Sequence, residues 1–233
     1  MQTIAERLQC ARKGIEQATA DAHRPPNSVQ LLAVSKTKPV SDIMEAYEAG
    51  QRMFGENYVQ EGVEKIQQLA HLGDIEWHMI GPLQSNKTKV VAEHFDWVHS
   101  VDREKIARRL NEQRPHYAAP LNVCIQVNID NEDSKSGVTL PNVDALVHFI
   151  GTQPKLVLRG FMAIPKANPD PEEQHNTLTK LKELFDHYHT SLSNFDTLSV
   201  GMSSDMTQAI AHGSTMVRVG TAIFGERDYG TSA

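Results

Sequence analysis

The sequence predicts an α/β protein, a (β/α)8 TIM-type barrel with an extra helix at its amino terminus. Eight short apolar runs rich in β-branched residues alternate with longer amphipathic segments, which is typical of βα units on a parallel sheet. Eight units in 233 residues agree with the usual barrel length of about 250 residues. An open doubly wound sheet is the alternative, but no run is followed by GxGxxG or GxxxxGK[ST].

The elements follow in regular order, and we expect one barrel domain over residues 1–233. The expected strands are LLAVS at 31, RMFGE at 52, EWHMIG at 76, DWVHS at 96, NVCIQVN at 122, LRGFMAI at 158, TLSVGM at 197 and MVRVG at 216. The expected helices cover 3–21, 40–50, 57–71, 84–94, 102–113, 141–150, 171–190 and 204–212. The second of these helices shows the pattern most clearly, because Val40, Ile43, Met44 and Tyr47 share one face.

Composition excludes several classes of protein. The net charge of -6 comes from 23 basic and 29 acidic residues without a basic tract, which argues against nucleic-acid binding. No apolar segment approaches the roughly 20 residues of a membrane span, and the first residues lack the apolar core of a secretory signal. We therefore expect a cytoplasmic protein that binds neither nucleic acid nor membrane.

Cysteine and histidine usage indicates neither a disulfide framework nor a metal site. Cys10 and Cys124 are the only cysteines, and both are interpreted as packing residues. His187 and His189 lie two residues apart on an expected helix, so their rings point to different sides. No cysteine or acidic cluster completes a set of ligands, and we expect no metal.

Polar residues follow the expected strands, at the end where barrels carry their active groups. They are Lys36, Glu56, Asn57, Gln84, Ser85, Asn86, Ser100, Asn128, Ser203, Ser204, Arg218 and Thr221. Each has a structural alternative: Asn57, Ser203 or Ser204 suits a helix N-cap, Arg218 could pair with a carboxylate, and Gly220 could ease a turn. Their convergence on one mouth favours a functional site.

The loops after strands seven and eight predict a phosphate site. The segment SVGMSSDM provides a glycine with Ser203 and Ser204 before a helix, and VRVGTAIFGER provides Gly220 and Thr221. Barrels often bind phosphate at this position. Lys36 lies across the mouth, where desolvation or a cation such as Arg218 would activate its amine. A Schiff base to a phosphorylated aldehyde is the expected chemistry, and a solvated strand end is the alternative for Lys36.

Seven motifs carry a resemblance to a known family. AVSKTKP, FGENYVQE, WHMIGPLQSNK, VNIDNEDSKSG, LRGFMAIP, LSVGMSSDM and GSTMVRVGTAIFGER occur in order between about residues 30 and 228. Together they resemble the pyridoxal phosphate homeostasis protein family, single-domain relatives of the alanine racemase barrel. The resemblance implies a fold type III pyridoxal phosphate protein, with pyridoxal 5'-phosphate as its cofactor.

The resemblance also implies roles for individual residues. Lys36 matches the Schiff-base lysine of the family, Asn57 a cofactor-site asparagine, Ser203 and Thr221 the phosphate contacts, and Arg218 the arginine that faces the pyridine nitrogen. Ser204 and Gly220 are added on physical grounds, as neighbours that can offer N–H donors to the phosphate.

The expected function is binding and homeostasis of pyridoxal phosphate, without robust catalysis and with no catalytic residue assigned. An arginine at the ring nitrogen keeps that nitrogen unprotonated and weakens the cofactor as an electron sink. In the two-domain racemases that the family resembles, the second acid–base group is a tyrosine that comes from an additional domain. Tyr58 and Tyr229 are disfavoured substitutes, because Tyr58 lies on a helix and Tyr229 in an expected frayed tail.

Two other functions stay open at this point: a low-activity amino-acid racemase and a cofactor-free Schiff-base aldolase. Besides pyridoxal phosphate, the expected partners are apo forms of pyridoxal phosphate enzymes, which would receive the cofactor from a monomeric carrier. Lys38, two residues beyond Lys36, is interpreted as a solvated charge near a helix start, and a secondary cofactor amine is the alternative.

Overall fold

Eight parallel strands close into a barrel in the computed structural model, which describes residues 2–133, 136–167 and 170–226. The strands are β1 (Gln30–Val34), β2 (Met53–Glu56), β3 (Glu76–Met79), β4 (Trp97–Val101), β5 (Leu121–Gln126), β6 (Leu156–Met162), β7 (Thr197–Ser199) and β8 (Met216–Val219). β8 pairs with β1, placing Arg218 opposite Leu32. This closure confirms the predicted barrel and excludes the open sheet.

Nine α-helices occur in the described residues. They are α1 (Ile4–Asp21), α2 (Val40–Glu48), α3 (Val59–Gln68), α4 (Thr88–His94), α5 (Glu104–Gln113), α6 (Val143–Gly151), α7 (Pro171–His189), α8 (Met206–Ala211) and α9 (Thr221–Phe224). The sequence did not predict α9, because four residues are too few to show helical periodicity. Within the described ranges, every helix falls short of the length and apolarity that crossing a bilayer requires.

Helix α1 forms part of the outer ring of helices. Its N-cap is Thr3, whose hydroxyl accepts from the amide of Glu6 while the Glu6 carboxylate accepts from the amide of Thr3. Its buried side, including Leu8 and Ile15, packs against α2, α8 and α9. Because α8 and α9 contain only 6 and 4 residues, α1 supplies the apolar cover that these two helices are too short to provide.

The barrel separates two kinds of core. Val217 and Val219 of β8 belong to the large apolar cluster shared with the helices. Because successive strand residues point to opposite faces, Met216 and Arg218 point into the barrel. The interior therefore contains polar as well as apolar side chains, and this composition matters for the site.

The structure corrects one interpretation of the cysteines. Cys124 is fully buried, as expected of a packing residue, but Cys10 is exposed. Cys10 lies on α1 but not on the helix face that carries the buried residues Leu8 and Ile15, which explains the difference. As for metals, no group of three or more candidate ligands occurs among the residues that the structure describes.

Candidate functional site

A cavity of about 290 Å³ opens at the carboxyl ends of the strands, where barrel proteins carry their functional groups. All seven residues predicted to bind the cofactor line it: Lys36, Asn57, Ser203, Ser204, Arg218, Gly220 and Thr221. The tertiary structure thus brings the ends of β1, β2, β7 and β8 to one place. The apolar part of the wall includes Ile80, Ile164 and Met202, which the sequence analysis did not identify.

The other polar residues that follow strands do not line this cavity. Gln84, Ser85, Asn86, Ser100 and Asn128 are absent from its described wall. Asn128 instead exchanges two hydrogen bonds with the main chain of Glu132 and shapes its own loop. A wider groove of about 700 Å³ lies along α6, β6 and α7, and none of the predicted site residues lines it.

Lys36 lies in the turn directly after β1 and is half-buried. The turn is tight: Thr37 has a φ of 64°, and the amide of Lys38 donates to the carbonyl oxygen of Ser35 at 3.1 Å. Lys38 lines the cavity as well, and its Nζ donates to the carbonyl oxygen of Glu226 at 2.6 Å. The Lys38 amine thus has one main-chain partner in an exposed hydrogen bond, and the interpretation of Lys38 as a solvated charge stays a prediction.

A cluster of one buried lysine and two carboxylates contacts the residues on either side of Lys36. The Nζ of Lys65 donates to Glu61 at 2.6 Å, to the carbonyl oxygen of Ser35 at 2.7 Å and to Glu56 at 2.8 Å. The Glu56 carboxylate also accepts from the Ser35 hydroxyl at 2.6 Å, and Glu61 accepts from the amide of Thr37 at 2.6 Å. Residues on both sides of Lys36 are thus held by one ion cluster.

The Glu56–Lys65 pair is nearly dry, whereas the Glu61 side chain is 28% exposed. Glu56 is 0% exposed and Lys65 is 5% exposed. Burial raises the pKa of Glu56, while the neighbouring Lys65 cation opposes that rise. Lys65 was not predicted as part of the site, although its spacing of four residues from Glu61 on a predicted helix indicates an ion pair.

Asn57 lines the cavity and has a buried polar atom without a partner in the described residues. Its Oδ1 is buried and accepts no hydrogen bond from the described residues. The helix-cap alternative is wrong for Asn57, since α3 begins at Val59 with Tyr58 as its N-cap and no side-chain cap. An unsatisfied buried amide is costly, so a ligand that pairs with this amide would be favoured.

Gly81, two residues after the end of β3, lets the main chain pass against the backbone of Asn57. A Cβ atom at Gly81 would lie 2.1 Å from the carbonyl oxygen of Asn57. No side chain fits there without displacing the backbone. Gly81 therefore sets the position of Asn57, a role that the local pattern WHMIGPL did not reveal.

The loop after β7 presents Ser203 and Ser204 as exposed residues of the cavity wall. Helix α8 begins at Met206, two residues later than predicted, and its N-cap is Asp205. Ser203 and Ser204 are therefore not N-caps, and this structural alternative is wrong for both. Gly201 has a φ of 102°, the left-handed region that favours glycine, which turns the chain out of β7.

The loop after β8 packs directly against β1. A Cβ atom at Gly220 would lie 3.3 Å from the carbonyl oxygen of Val34, so little space remains there. Thr221 follows as the first residue of α9 and is exposed. Gly220 and Thr221 thus face the β7 loop across the cavity mouth, and this arrangement fits an anionic group held by hydroxyl and backbone N–H donors.

Arg218 provides the buried cation of the cavity and is only 5% exposed. Its NH1 donates to the carbonyl oxygen and the hydroxyl of Ser199, both at 2.8 Å, and its NH2 donates to the carbonyl oxygen of Ala163 at 3.1 Å. No carboxylate pairs with Arg218 in the described residues. The alternative in which Arg218 is a strand residue paired with a carboxylate therefore does not describe this structure. Burial lowers the pKa of Arg218 to about 10, so the guanidinium stays charged at neutral pH.

Comparison with known proteins agrees with the barrel fold. The model of the alanine racemase N-terminal domain matches residues 11–228. The Pasteurella multocida pyridoxal phosphate homeostasis protein is 57% identical over 97% of this chain and 99% of its own length. The Escherichia coli K12 protein of the same name is 54% identical over 98% and 99%.

The chain belongs to the pyridoxal phosphate homeostasis protein family.

Solved structures extend the comparison. PipY of Synechococcus elongatus, in a structure with pyridoxal phosphate (PLP) bound, is 37% identical and has a TM-score of 0.80 over 96% of this chain and 100% of its own. Alanine racemase of Corynebacterium glutamicum is 16% identical with a TM-score of 0.68, over 99% of this chain and 62% of its own. The racemase likeness shows the fold alone. The expected relation to the racemase barrel is confirmed by the match of the family model to residues 11–228.

Proposed function

We propose that this protein binds pyridoxal 5'-phosphate in the cavity, holds it as a Schiff base on Lys36, and supplies or buffers it for apoenzymes. The observation that carries the proposal is the convergence of a half-buried amine, a buried cation and two loops rich in donors on one cavity. A relative that is 37% identical has a structure with PLP bound, which supports the choice of ligand. The single barrel of residues 1–233 is proposed to do this as one domain.

The chain offers a matching group for each part of the ligand. When bound, PLP supplies an aldehyde, with which a primary amine condenses to a Schiff base with loss of water. Lys36 is the proposed amine, and the turn clamped by the Lys65 cluster fixes its backbone. Asn57 provides an amide whose buried oxygen has no partner in the described chain.

The anionic end is proposed to lie between the two loops at the mouth. Ser203 and Thr221 offer hydroxyl groups, and Ser204 and Gly220 offer neighbouring N–H donors. A phosphate placed there gains hydrogen bonds to a charged acceptor, each worth about 1.5 to 3 kcal/mol.

Arg218 supports a carrier rather than a strong catalyst. A guanidinium only donates hydrogen bonds and keeps its proton, so a ring nitrogen that faces it has to accept and stays unprotonated. An unprotonated ring withdraws electrons less well, and carbanion chemistry is correspondingly weak. Tyr58, a candidate acid or base, is 55% exposed and does not line the described cavity wall; Tyr229 lies outside the described residues.

The first experiment is absorption spectroscopy of the full-length protein loaded with PLP. A yellow protein that bleaches on borohydride reduction, with the reduced cofactor's mass on the peptide that contains Lys36, is expected. Lys36→Ala should lose the reducible adduct, while Lys38→Ala, which removes the neighbouring cavity amine, should keep it. A protein that takes up no PLP, or that carries the adduct on Lys38, would overturn the proposal.

A second experiment addresses the phosphate. Thr221→Ala is expected to weaken PLP binding by about tenfold, the loss of one hydrogen bond to a charged group. The same substitution should leave the binding of pyridoxal, which lacks the phosphate, unchanged. An equal loss for both compounds would contradict the assignment of Thr221 to the phosphate.

Supply to apoenzymes requires a transfer assay. The loaded protein is mixed with the apo form of a PLP-dependent enzyme, and recovery of that enzyme's activity is compared with recovery on an equal amount of free PLP. Recovery faster than from free PLP supports direct supply, and recovery that only follows spontaneous release supports buffering.

Robust cofactor-dependent amino-acid racemisation that disappears in Lys36→Ala would instead favour a racemase. A colourless protein trapped by borohydride only with a phosphorylated sugar would favour the aldolase.

A further inference from the structure

A chain of hydrogen bonds runs through the barrel interior from Arg218 to the opposite face. Arg218 NH1 lies 2.8 Å from Ser199 Oγ, which lies 3.0 Å from Nδ1 of His99. Nε2 of His99 lies 2.8 Å from Nδ1 of His78, and Nε2 of His78 lies 3.1 Å from a carboxylate oxygen of Glu76. Four strands, β3, β4, β7 and β8, each contribute at least one member.

The middle of this hydrogen-bond chain is buried, whereas its far end is exposed to solvent. Ser199, His99 and His78 are each 0% exposed, whereas the Glu76 side chain is 46% exposed. Glu76 is the first residue of β3, at the amino end of the barrel. The chain therefore connects the cavity to the solvent-facing opposite end of the barrel.

Both ends of the chain fix the direction in which hydrogens are donated. A guanidinium can only donate, so Ser199 Oγ accepts from Arg218. A carboxylate can only accept, so Nε2 of His78 carries a hydrogen. A neutral His78 then accepts at Nδ1 from His99 Nε2–H, and a neutral His99 accepts at Nδ1 from the Ser199 hydroxyl. Every donor points away from the cavity.

This arrangement requires both imidazoles to be neutral, and their surroundings favour that state. Burial is the main reason why the pKa of His78 is lowered, although Glu76 and Asp96 oppose the shift. Burial also places the pKa of His99 well below its usual value, helped by His78 and Arg218. Trp97 packs against both rings, stacked on His78 at 5.0 Å, and Arg159 over Trp97 adds a further positive charge that disfavours protonation of His78.

We propose that Ser199, His99 and His78 are positioning residues, which hold Arg218 in the cavity through a one-way hydrogen-bond chain anchored on Glu76. The relevance of this hydrogen-bond chain to PLP rests on the proposed function. The existence of the hydrogen-bond chain does not depend on that function. Three of the five guanidinium N–H groups are engaged by Ser199 and Ala163. The two other N–H groups can donate toward a ligand, in a direction that the fixed side chain determines.

The first test is nitrogen NMR of the full-length protein with labelled histidine and no PLP added. The expected result at pH 7 is two buried neutral imidazoles, His78 and His99, each with its hydrogen on Nε2. In Ser199→Ala, Nδ1 of His99 loses its hydroxyl donor, and its resonance should shift toward that of an unbonded nitrogen. A charged imidazole, or a hydrogen on Nδ1 of His99 in the wild-type protein, would show that the proposed chain does not exist.

The second test measures PLP affinity by absorbance titration. Ser199→Ala keeps the carbonyl oxygen that accepts from Arg218 and removes only the hydroxyl, so binding should weaken by about tenfold. Ser214→Ala is the matched control, because Ser214 is also 0% exposed but its hydroxyl, within the described part of the chain, donates to carbonyl oxygens of Leu198, Val200 and Met216 and not to the hydrogen-bond chain.

Three results of this titration are distinct. Weaker binding in Ser199→Ala with near wild-type binding in Ser214→Ala supports the positioning role. Equal affinity in all three proteins overturns it. A wild-type protein that binds no PLP overturns the proposed function, while the NMR measurement still decides whether the hydrogen-bond chain exists.

Discussion

Replacement of Lys65 by methionine tests the ion cluster beneath the Lys36 turn. The substitution keeps most of the side-chain volume but removes the cation that contacts Ser35, Glu56 and Glu61. Glu56, which is 0% exposed, is then left as a buried carboxylate without its counter-charge. Removal of one partner from a buried ion pair typically costs about 3 to 5 kcal/mol.

Protonation of Glu56 sets an independent limit on that cost. At pH 7, protonating a carboxyl with an ordinary pKa of 4.5 costs about 3.4 kcal/mol, from 2.5 pH units at about 1.36 kcal/mol each. The variant can protonate Glu56 whenever a charged, buried Glu56 would cost more free energy than this. We therefore expect Lys65→Met to lower the free energy of unfolding by about 3 to 4 kcal/mol at pH 7.

The sign of the pH dependence follows from the same linkage. In the variant, the folded-state pKa of Glu56 lies above its unfolded value, so stability is fully present below the unfolded pKa and is lost as pH rises. Because burial raises the Glu56 pKa in the wild-type protein as well, wild type gains part of the same stability as pH falls. The difference between the two proteins should therefore shrink by at most about 2 to 3 kcal/mol between pH 7 and pH 5. Urea denaturation at several pH values measures it.

Two further variants separate the charge from the lost contacts. Lys65→Met combined with Glu56→Gln removes both charges and should recover most of the lost stability at pH 7. Lys89→Met breaks the exposed pair with Glu93 on α4, where the lysine side chain is 72% exposed, and should change stability by less than about 0.5 kcal/mol. A pH-independent loss, or a loss below about 1 kcal/mol for Lys65→Met, would refute the account of a dry ion cluster.

Other predictions concern Gly81 and the cysteines. Gly81→Ala should weaken PLP binding by about 5- to 150-fold, or about 1 to 3 kcal/mol, because its Cβ would displace Asn57. Gly73→Ala, with no described atom within 4 Å of the added carbon, should bind normally. A binding loss shared by both alanine variants would contradict this explanation. With iodoacetamide at pH 8, mass spectrometry of the native protein should show one modified thiol, Cys10, because burial raises the pKa of Cys124 to about 12. Rapid modification of Cys124 would show that the barrel interior opens.

Patterns over neighbouring residues were sufficient to predict most of the architecture. Apolar runs and helical spacing located all eight strands in their order, and the helix after β1 packs Ile43 inward as its periodicity indicates. The errors concern one element end and one very short helix. Helix α8 starts at Met206 rather than at 204, and α9 was not predicted. Local capping chemistry and very short elements produce little periodic signal, so their positions depend on contacts with the rest of the fold.

By itself, the sequence determined that eight βα units form a parallel barrel and that Lys36, Asn57, Arg218 and the two glycine-containing loops would meet at its mouth. That much follows because the carboxyl ends of parallel strands share one face. Only the tertiary structure decided what supports those residues: Lys65 beneath the Lys36 turn, Gly81 against Asn57, and the histidine chain behind Arg218. These contacts join residues from different strands and helices inside a dry core, and their partners are set by the closed geometry of the barrel and not by spacing along the chain.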